Sequence, residues 1–587
     1  VSRFAAIARW GTRAKWAIDA FQPARLAAEP PLRLLHIAAG ELGRGRPRRA
    51  LRAARLALGR GAGSPPEAAS AAEAARVLIE SVLLESPRIE SAGVGASEVA
   101  AALQGDPRGA VARVLVEAVG RHRGRSAARA LARAADGAAL VVLLEPAWPE
   151  GCHFVLGGGA STRPRRVETW RRLAERAGLE VAAEMRPAEG RLLGLALRRR
   201  GPDAEPAPET QPSPRVTSEP ARIRIHDDLS HSTAFAWTTG KLALALHARG
   251  ADLTIAPTAL APSFSSAERR SLRQLMSVTA PPDLDGELGY THYWREYQRP
   301  LGGRRPLALC AINYTFSRAD RRPLDPWLAG LVNDGVGLAP VSSFCRDTLL
   351  LAGVSEERLG IVPMGLTSAP AEPCARTLPG SRGLSVLHVT NSSDPIRHGT
   401  ETGIDAFELA FAPTDPATLV IRDYGPGSAV LAARIRSLRR RGYDVRYWPI
   451  FFSEAQLAET MQSFQVLLAP FRGEGFGIKL LDAMAAGLVP IAPLFGGATD
   501  FMSRETALVV PNALAPMTSG YDAERVDFDR QPLWAEVDAD DVAVALRKAS
   551  AEPDDVSTRS AAARRRALEF TWDRAAEAVV ARMGPGR

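Results

Sequence analysis

The sequence predicts an α/β protein: two consecutive Rossmann-like domains, preceded by a separate α/β domain. Three observations carry this prediction. From residue 222 onward, strand-length apolar runs alternate with helix-length amphipathic stretches, the element order that builds parallel sheets. The clearest unit is 466–486, where the apolar run VLLA enters a glycine-rich turn (Gly473-Glu474-Gly475-Phe476-Gly477) and then a helical pattern, IKLLDAMAA. Residues 201–220, GPDAEPAPETQPSPRVTSEP, hold almost no apolar side chains and are stiffened by proline, so they read as a linker.

Composition bounds the rest. A chain of 587 residues fits about two to four domains. With 46% hydrophobic and 24% charged residues it reads as an ordinary globular protein. No apolar run reaches the ~18 residues of a membrane span. The first 21 residues are basic and amphipathic without a continuous apolar core, so no signal peptide is expected. Weak association with an anionic membrane surface at the inner face is the secondary reading. Cys152, Cys310, Cys345 and Cys374 lack metal or redox spacing, which suits reduced thiols and a cytoplasmic setting. The net charge of +9 is spread over Arg-rich helices without an aromatic stacking platform, so nucleic acid is not an expected partner.

Within 1–200, apolar runs at 32–37, 139–144, 179–184 and 191–197 read as strands. Stretches at 47–58, 66–85, 108–135 and 166–177 read as helices. The order resembles the later half of a class I methyltransferase, with a strand ending in Glu145-Pro146 and a closing strand pair. That family binds S-adenosylmethionine through an acid and glycines after its first strand. Here His36, Ala38 and Leu42 stand at three of those positions, and side chains there crowd the backbone approach that a cofactor needs. The expectation is a degenerate, non-catalytic domain; an active methyltransferase, making the chain bifunctional, stays open as a second reading.

From 221, a strand at 222–225 leads into HDDLSHS (226–232), a helix at 237–249 and a strand at 252–256. The loop YTHYWREYQRP (290–300) precedes a strand at 307–312. Its aromatics suit either a sugar acceptor or packing against the domain. A helix at 327–331 and a strand at 335–341 follow, then SSFC (342–345) and LLLAGVSEERLGIVPMGL (349–366). A second Rossmann-like unit opens at 384–390, followed by NSSDPIRHGTETG. Strands at 418–421 and 445–448, the segment 448–452 and a helix from Ser453 to Gln462 precede the glycine-rich turn.

A strand, a glycine turn and a helix N-terminus form a natural anion site, because the first helical N–H groups are free. Glu474 and Asp482 frame the turn. Taken with the run through PMG at 363–365, this resembles the retaining nucleotide-sugar glycosyltransferases of the GT-B fold, family four in particular. The resemblance covers about 220–585 and implies an acceptor domain at 221–375 and a donor domain at 376–587. Asp482 stands where that family has Glu, and His398 where it has Lys.

The resemblance implies a hexosyl transfer of the polysaccharide-building kind from an NDP-sugar. The acceptor, a glycan, a lipid-linked sugar or a small molecule, is left open, as is a non-catalytic nucleotide-sugar-binding role. Glu474 and Arg397 would carry catalysis. Asp482, Lys479, Gly475, Phe476, Gly477, His398 and Phe451 would hold the donor. His231, His292 and Tyr293 would face the acceptor. No metal and no cofactor beyond the donor are implied. For Lys479 a solvated helix face is an equal reading.

Overall fold

The structure is a computed structural model. It describes strands and fragments between residues 88 and 199, and then, apart from short breaks, 220–316, 326–367 and 378–583; the longer breaks inside these spans are 257–263 in part, 292–300 and 518–531. The chain divides into two compact units, one centred on 86–179 and the other on 195–587.

In the first unit, Arg88–Gly93, Val111–Val116 and Leu140–Glu145 form consecutive parallel pairs. The strand expected at 139–144 is therefore present. The helix expected over 108–135 is not continuous: Val111–Val116 is a strand, and only Leu131 and Ala134 are described as helical. VARVLV carries three β-branched residues in six, and packing between two neighbouring strands outweighs the helix preference of the flanking Ala and Arg. The strands expected at 179–184 and 191–197 fall at Leu179–Met185 and Leu193–Arg199. The segment 32–37, the helices 47–58 and 66–85 and the linker 201–219 lie outside the described residues.

The second unit holds two parallel sheets. The first comprises β1 (Arg222–His226), β2 (Asp252–Ile255), β3 (Gly286–Thr291), β4 (Leu307–Cys310) and β5 (Gly337–Pro340), in the spatial order β5-β4-β3-β1-β2. Its helices are α1 (Ala234–Ala248), α2 (Ser266–Ser277), α3 (Pro326–Asn333) and α4 (Ser343–Leu351). Ser265 opens α2 with a reciprocal capping box: its hydroxyl accepts from the Glu268 N–H, and the Glu268 carboxylate accepts from the Ser265 N–H.

The second sheet comprises β6 (Leu384–Thr390), β7 (Ala417–Asp423), β8 (Asp444–Trp448), β10 (Val466–Leu468), β11 (Val489–Pro493) and β12 (Leu508–Val510). Its order is β8-β7-β6-β10-β11-β12, and every pairing is parallel. A two-residue strand, β9 (Ile450–Phe451), follows β8, and the antiparallel pair β13 (Ala513–Pro516) and β14 (Leu533–Glu536) follows β12. β6, β7 and β11 are buried along their whole length, and apolar side chains fill most of their positions, as in a sheet covered on both faces. Helices α5 (Thr400–Ala410), α6 (Ala429–Arg440), α7 (Glu454–Met461), α8 (Ile478–Ala485), α9 (Ala539–Ala551) and α10 (Pro553–Ala567) belong to this half. Asp538 caps α9 by accepting from the Asp540 N–H.

The last helix, α11 (Trp572–Met583), returns to the first sheet's side and packs on α1. Trp572 meets Trp237 edge-on at 5.7 Å, and Arg249 pairs with Asp573 at 2.7 Å. The Trp572 indole N–H donates to the Leu366 carbonyl at 2.8 Å, which ties the helix to the chain segment leaving the first domain.

Candidate active site

In an open parallel sheet, ligands bind where the strand order reverses, outside the carboxyl ends of the strands. In the second sheet the reversal falls between β6 and β10, since the chain runs outward to β7 and β8 on one side and to β11 and β12 on the other. The loop after β6 carries Asp394, Arg397 and His398. The loop after β10 carries Glu474, and Lys479 lies on the first turn of α8. Sequence-distant groups thus converge for a topological reason.

The convergence is close. Arg397 donates from Nε to Asp394 at 2.6 Å and from Nη1 to the Gly473 carbonyl at 3.1 Å. Glu474 Oε2 is buried. It faces Lys479 Nζ at 3.1 Å and Arg397 Nη1 at 4.0 Å, an ion pair with each but a hydrogen bond with neither. Lys479 Nζ also lies 2.6 Å from His398 Nδ1. A charged ammonium only donates, so Nδ1 accepts and the imidazole proton sits on Nε2. That N–H donates to the Tyr424 hydroxyl at 3.3 Å. Arg397 Nη2, 3.2 Å from the same nitrogen, then meets it donor to donor.

Burial lowers the protonation of His398 well below the usual imidazole range, and Lys479, Arg397 and His388 push it further in the same direction. His398 is therefore neutral. It does not replace the lysine that its position suggests but holds the Lys479 ammonium in place. Burial also lowers Lys479, and Glu474 opposes that shift. The solvated-face reading of Lys479 fails, because its side chain is mostly buried and points at Glu474. Beneath the cluster, the Thr390 hydroxyl is 2.6 Å from that of Thr400, which is 3.2 Å from His388 Nε2, while His388 Nδ1 donates to the Leu468 carbonyl at 2.8 Å. This buried chain locks β6, β10 and the start of α5 together. Burial pushes His388 down to about 4, so it is neutral as well.

The glycine turn is gripped from the first domain. The Gly475 carbonyl accepts from the Ser342 hydroxyl at 2.7 Å, and the Gly475 N–H donates to the Asn313 side-chain carbonyl at 2.9 Å. A Cβ on Gly475 would come within about 3 Å of the Ile312 backbone, and one on Gly497 would lie 2.1 Å from the Gly475 carbonyl oxygen. These missing side chains admit neighbouring backbone, so Gly475 serves by close packing of the turn rather than by approach to a ligand. Gly477 is the N-cap of α8 in the left-handed conformation, with φ at 96°. Phe476 is buried against Phe501 at 5.6 Å and Phe570 at 6.3 Å. Its ring is committed to the core, which corrects its expected place among the donor-facing side chains.

Asp482 is buried and latched to the hinge. Its Oδ1 accepts from the Thr367 N–H at 2.8 Å, and its Oδ2 accepts from the Thr367 hydroxyl. Burial raises its carboxyl to about 7 despite both hydrogen bonds. Phe451 lies in β9 beside the carboxyl end of β8. His231, His292 and Tyr293 lie outside the described residues; the strands they follow, β1 and β3, flank the reversal in the first sheet. Asp227 accepts from the Thr239 hydroxyl at 2.6 Å, a contact that braces α1. Among the described residues, no three His, Cys, Asp or Glu side chains are grouped to hold a metal ion, and no helix is long and apolar enough to cross a membrane.

Sequence reasoning missed Ser342, Asn313, Thr367, Asp394 and Tyr424. Only Ser342 carries a local signal, as the N-cap of α4, where it also accepts from the Cys345 N–H at 3.2 Å. The others matter through contacts that the fold creates.

Two Rossmann-like halves, with a cationic and carboxylate cluster at the switch point of the second, are the arrangement expected from the sequence. Residues 348–579 match the family model described as Family 4 Glycosyltransferase in conflict systems. No curated protein sequence matches. Solved structures similar to the chain include a point mutant of S. aureus TarM in complex with Fondaparinux, alpha-GlcNAc-glycerol and UDP. It is 12% identical with a TM-score of 0.37, covering 51% of this chain and 55% of that one, so the match spans about half of TarM. WaaG, a glycosyltransferase involved in lipopolysaccharide biosynthesis, is 15% identical with a TM-score of 0.40, covering 62% of this chain and 100% of that one. Anabaena Alr3699/HepE in complex with UDP-glucose is 13% identical with a TM-score of 0.40, covering 60% and 97%.

Two outcomes follow from this geometry. Gly497→Ala forces a methyl group into the Gly475 carbonyl and should cost about 1–3 kcal/mol in chemical denaturation; an unchanged midpoint would contradict the packing described. Asp482→Asn keeps the contact with the Thr367 N–H but carries no charge. Because the folded pKa of Asp482 is raised, the unfolded chain binds fewer protons, and wild-type stability falls as pH rises from about 4 to about 7. The Tm of Asp482→Asn relative to wild type should therefore climb across that window and level off above it, whereas a constant gap would show that Asp482 titrates normally.

Proposed function

We propose that the chain transfers a glycosyl group from a nucleoside diphosphate sugar to a hydroxyl of a carbohydrate acceptor, with retention of anomeric configuration. The observation that carries this is the meeting of Arg397, Lys479 and Glu474 at the β6/β10 switch point. Breaking the anomeric C–O bond builds positive charge on the sugar and negative charge on the departing diphosphate. Arg397 and Lys479 would bind that developing negative charge, together with the free N–H groups at the start of α8. Both cations are already fixed by Asp394, the Gly473 carbonyl and His398, so little reorganisation is needed at the moment of transfer.

Glu474 sits between the two cations, and a diphosphate entering beside them would compete for their charge. That frees the carboxylate toward the donor sugar. Asp482 would reach the ribose hydroxyls only by sharing or releasing Thr367, and this latch favours a second reading, a protein that binds a nucleotide sugar without transferring it. No cofactor beyond the donor is invoked, since side chains meet the leaving-group charge.

A panel of UDP-, GDP- and dTDP-sugars should give hydrolysis or transfer with at least one donor, undiminished by EDTA, and NMR of the product should show the anomeric configuration of the donor. Arg397→Ala and Lys479→Ala should each lower kcat by roughly 10²–10³-fold. Binding without turnover would support the non-catalytic reading, and no binding by any nucleotide sugar would end both.

A further inference from the structure

Arg422 lies next to the carboxyl end of β7, one strand beyond the cation cluster, and is 6% exposed. It is paired in register with Trp448 on β8. Among the described residues its guanidinium makes no hydrogen bond and no ion pair, and Nε is buried without an acceptor. The indole N–H of Trp448 is likewise buried without an acceptor. The guanidinium instead stands over two aromatic rings, 5.8 Å from the centre of Tyr424 and 5.2 Å from that of Phe452. Burial lowers its pKa to about 10, with Tyr424 and Asp423 opposing, so it remains charged at neutral pH.

A buried guanidinium without an ion pair is costly; its two ring contacts offset part of that cost, and an acceptor supplied by a ligand would offset more. Asp423 does not act as that acceptor. Asp423 Oδ1 accepts from the Ser392 and Gly425 N–H groups at 2.9 and 2.8 Å, and Oδ2 from the Tyr447 hydroxyl at 2.6 Å. Tyr424 separates Arg422 from the phosphate-binding cations: its ring faces the guanidinium and its hydroxyl meets His398.

The strand order sets the distances. Moving from β10 through β6 to β7 and β8 advances by roughly 4.8 Å per strand. Glu474 stands at the first of these positions, Arg397 and His398 at the second, and Arg422 with Trp448 at the third and fourth. A nucleotide sugar laid along this edge, with its diphosphate at Arg397 and Lys479 and its sugar at Glu474, carries its base to Tyr424, Phe452 and Arg422. A planar base suits flanking aromatic rings. Arginine offers donors and no acceptor, so it pairs with ring carbonyls and unprotonated ring nitrogens and is repelled by exocyclic amino groups.

We propose that Arg422 is the base-reading residue of the donor site and selects nucleotides with an oxo base (uracil, thymine or guanine) over those with an amino base at the same edge (cytosine or adenine). This rests on the donor-site reading given above. It adds the class of nucleotide and the residue that chooses it.

The test is calorimetric titration of the full chain with UDP, dTDP, GDP, CDP, ADP and inorganic pyrophosphate, for wild type, Arg422→Met and Arg422→Lys. At least one of UDP, dTDP and GDP should bind wild type roughly 5–150-fold more tightly than both CDP and ADP, the range of a well-formed bidentate contact to a base. Arg422→Met should erase that preference while leaving pyrophosphate affinity unchanged, and Arg422→Lys should restore part of it. The unchanged pyrophosphate affinity also shows that the variant is folded. The separate nucleotides identify which oxo base is preferred. Equal affinity of wild type for all five nucleotides would overturn the proposal while leaving the donor site standing, as would equal losses for nucleotides and pyrophosphate in Arg422→Met. No binding of any nucleotide or of pyrophosphate by wild type would instead remove the donor-site reading on which the proposal rests.

Discussion

The grip of the first domain on the Gly475 peptide is the constraint on which the site depends. Ser342 and Asn313 hold the carbonyl and the N–H of one residue, and the backbone around Gly497 closes against the same peptide. The adjoining Glu474 is thereby fixed between Lys479 and Arg397. Ser342 is itself the N-cap of α4, so one hydroxyl both ends a helix and anchors a turn in the other half of the unit. An unpaired buried peptide group costs about as much as a lost hydrogen bond, so the two halves cannot separate at this point without penalty. Asp482 on Thr367 and Trp572 on Leu366 add two further ties at the crossover segment.

Charge in the cluster is balanced locally rather than left open. Arg397 rests on Asp394, Lys479 on Glu474, and the neutral His398 spaces Lys479 from Tyr424. A neutral imidazole that accepts from an ammonium does different work from the lysine its position suggests. It orients a cation instead of adding one. Arg422 is the exception to the local balance, since its guanidinium stands over two rings and makes no ion pair, the neighbouring Asp423 acting on it only through space.

Much of this was legible in the sequence because the signals are local. Apolar runs such as LSVLHVT become fully buried strands, and the turn from Gly473 to Gly477 followed by an amphipathic segment becomes a strand–turn–helix unit. Glu474 and Arg397 were legible through separate segments of the family resemblance, whereas Lys479 read equally as a solvated helix face, and only the fold places it against Glu474. The role of the turn glycines was misjudged, because whether a missing Cβ admits a ligand or a neighbouring peptide is decided by what the fold brings beside it. Phe476 was misjudged for the same reason, its partners Phe501 and Phe570 being remote in sequence. The strand Val111–Val116 was hidden by helix-forming neighbours. Nothing local in the sequence marks Arg422; its lack of a hydrogen-bond partner in three dimensions does.

The central claim is that the β6/β10 switch point holds the donor's diphosphate. A crystal structure of the full chain with a bound nucleoside diphosphate tests it most directly. Phosphate oxygens are expected at charge-assisted hydrogen-bond distances of about 2.7–2.9 Å from Arg397 and Lys479. A diphosphate bound elsewhere, with the pairing of Lys479 and Glu474 intact, would contradict the account.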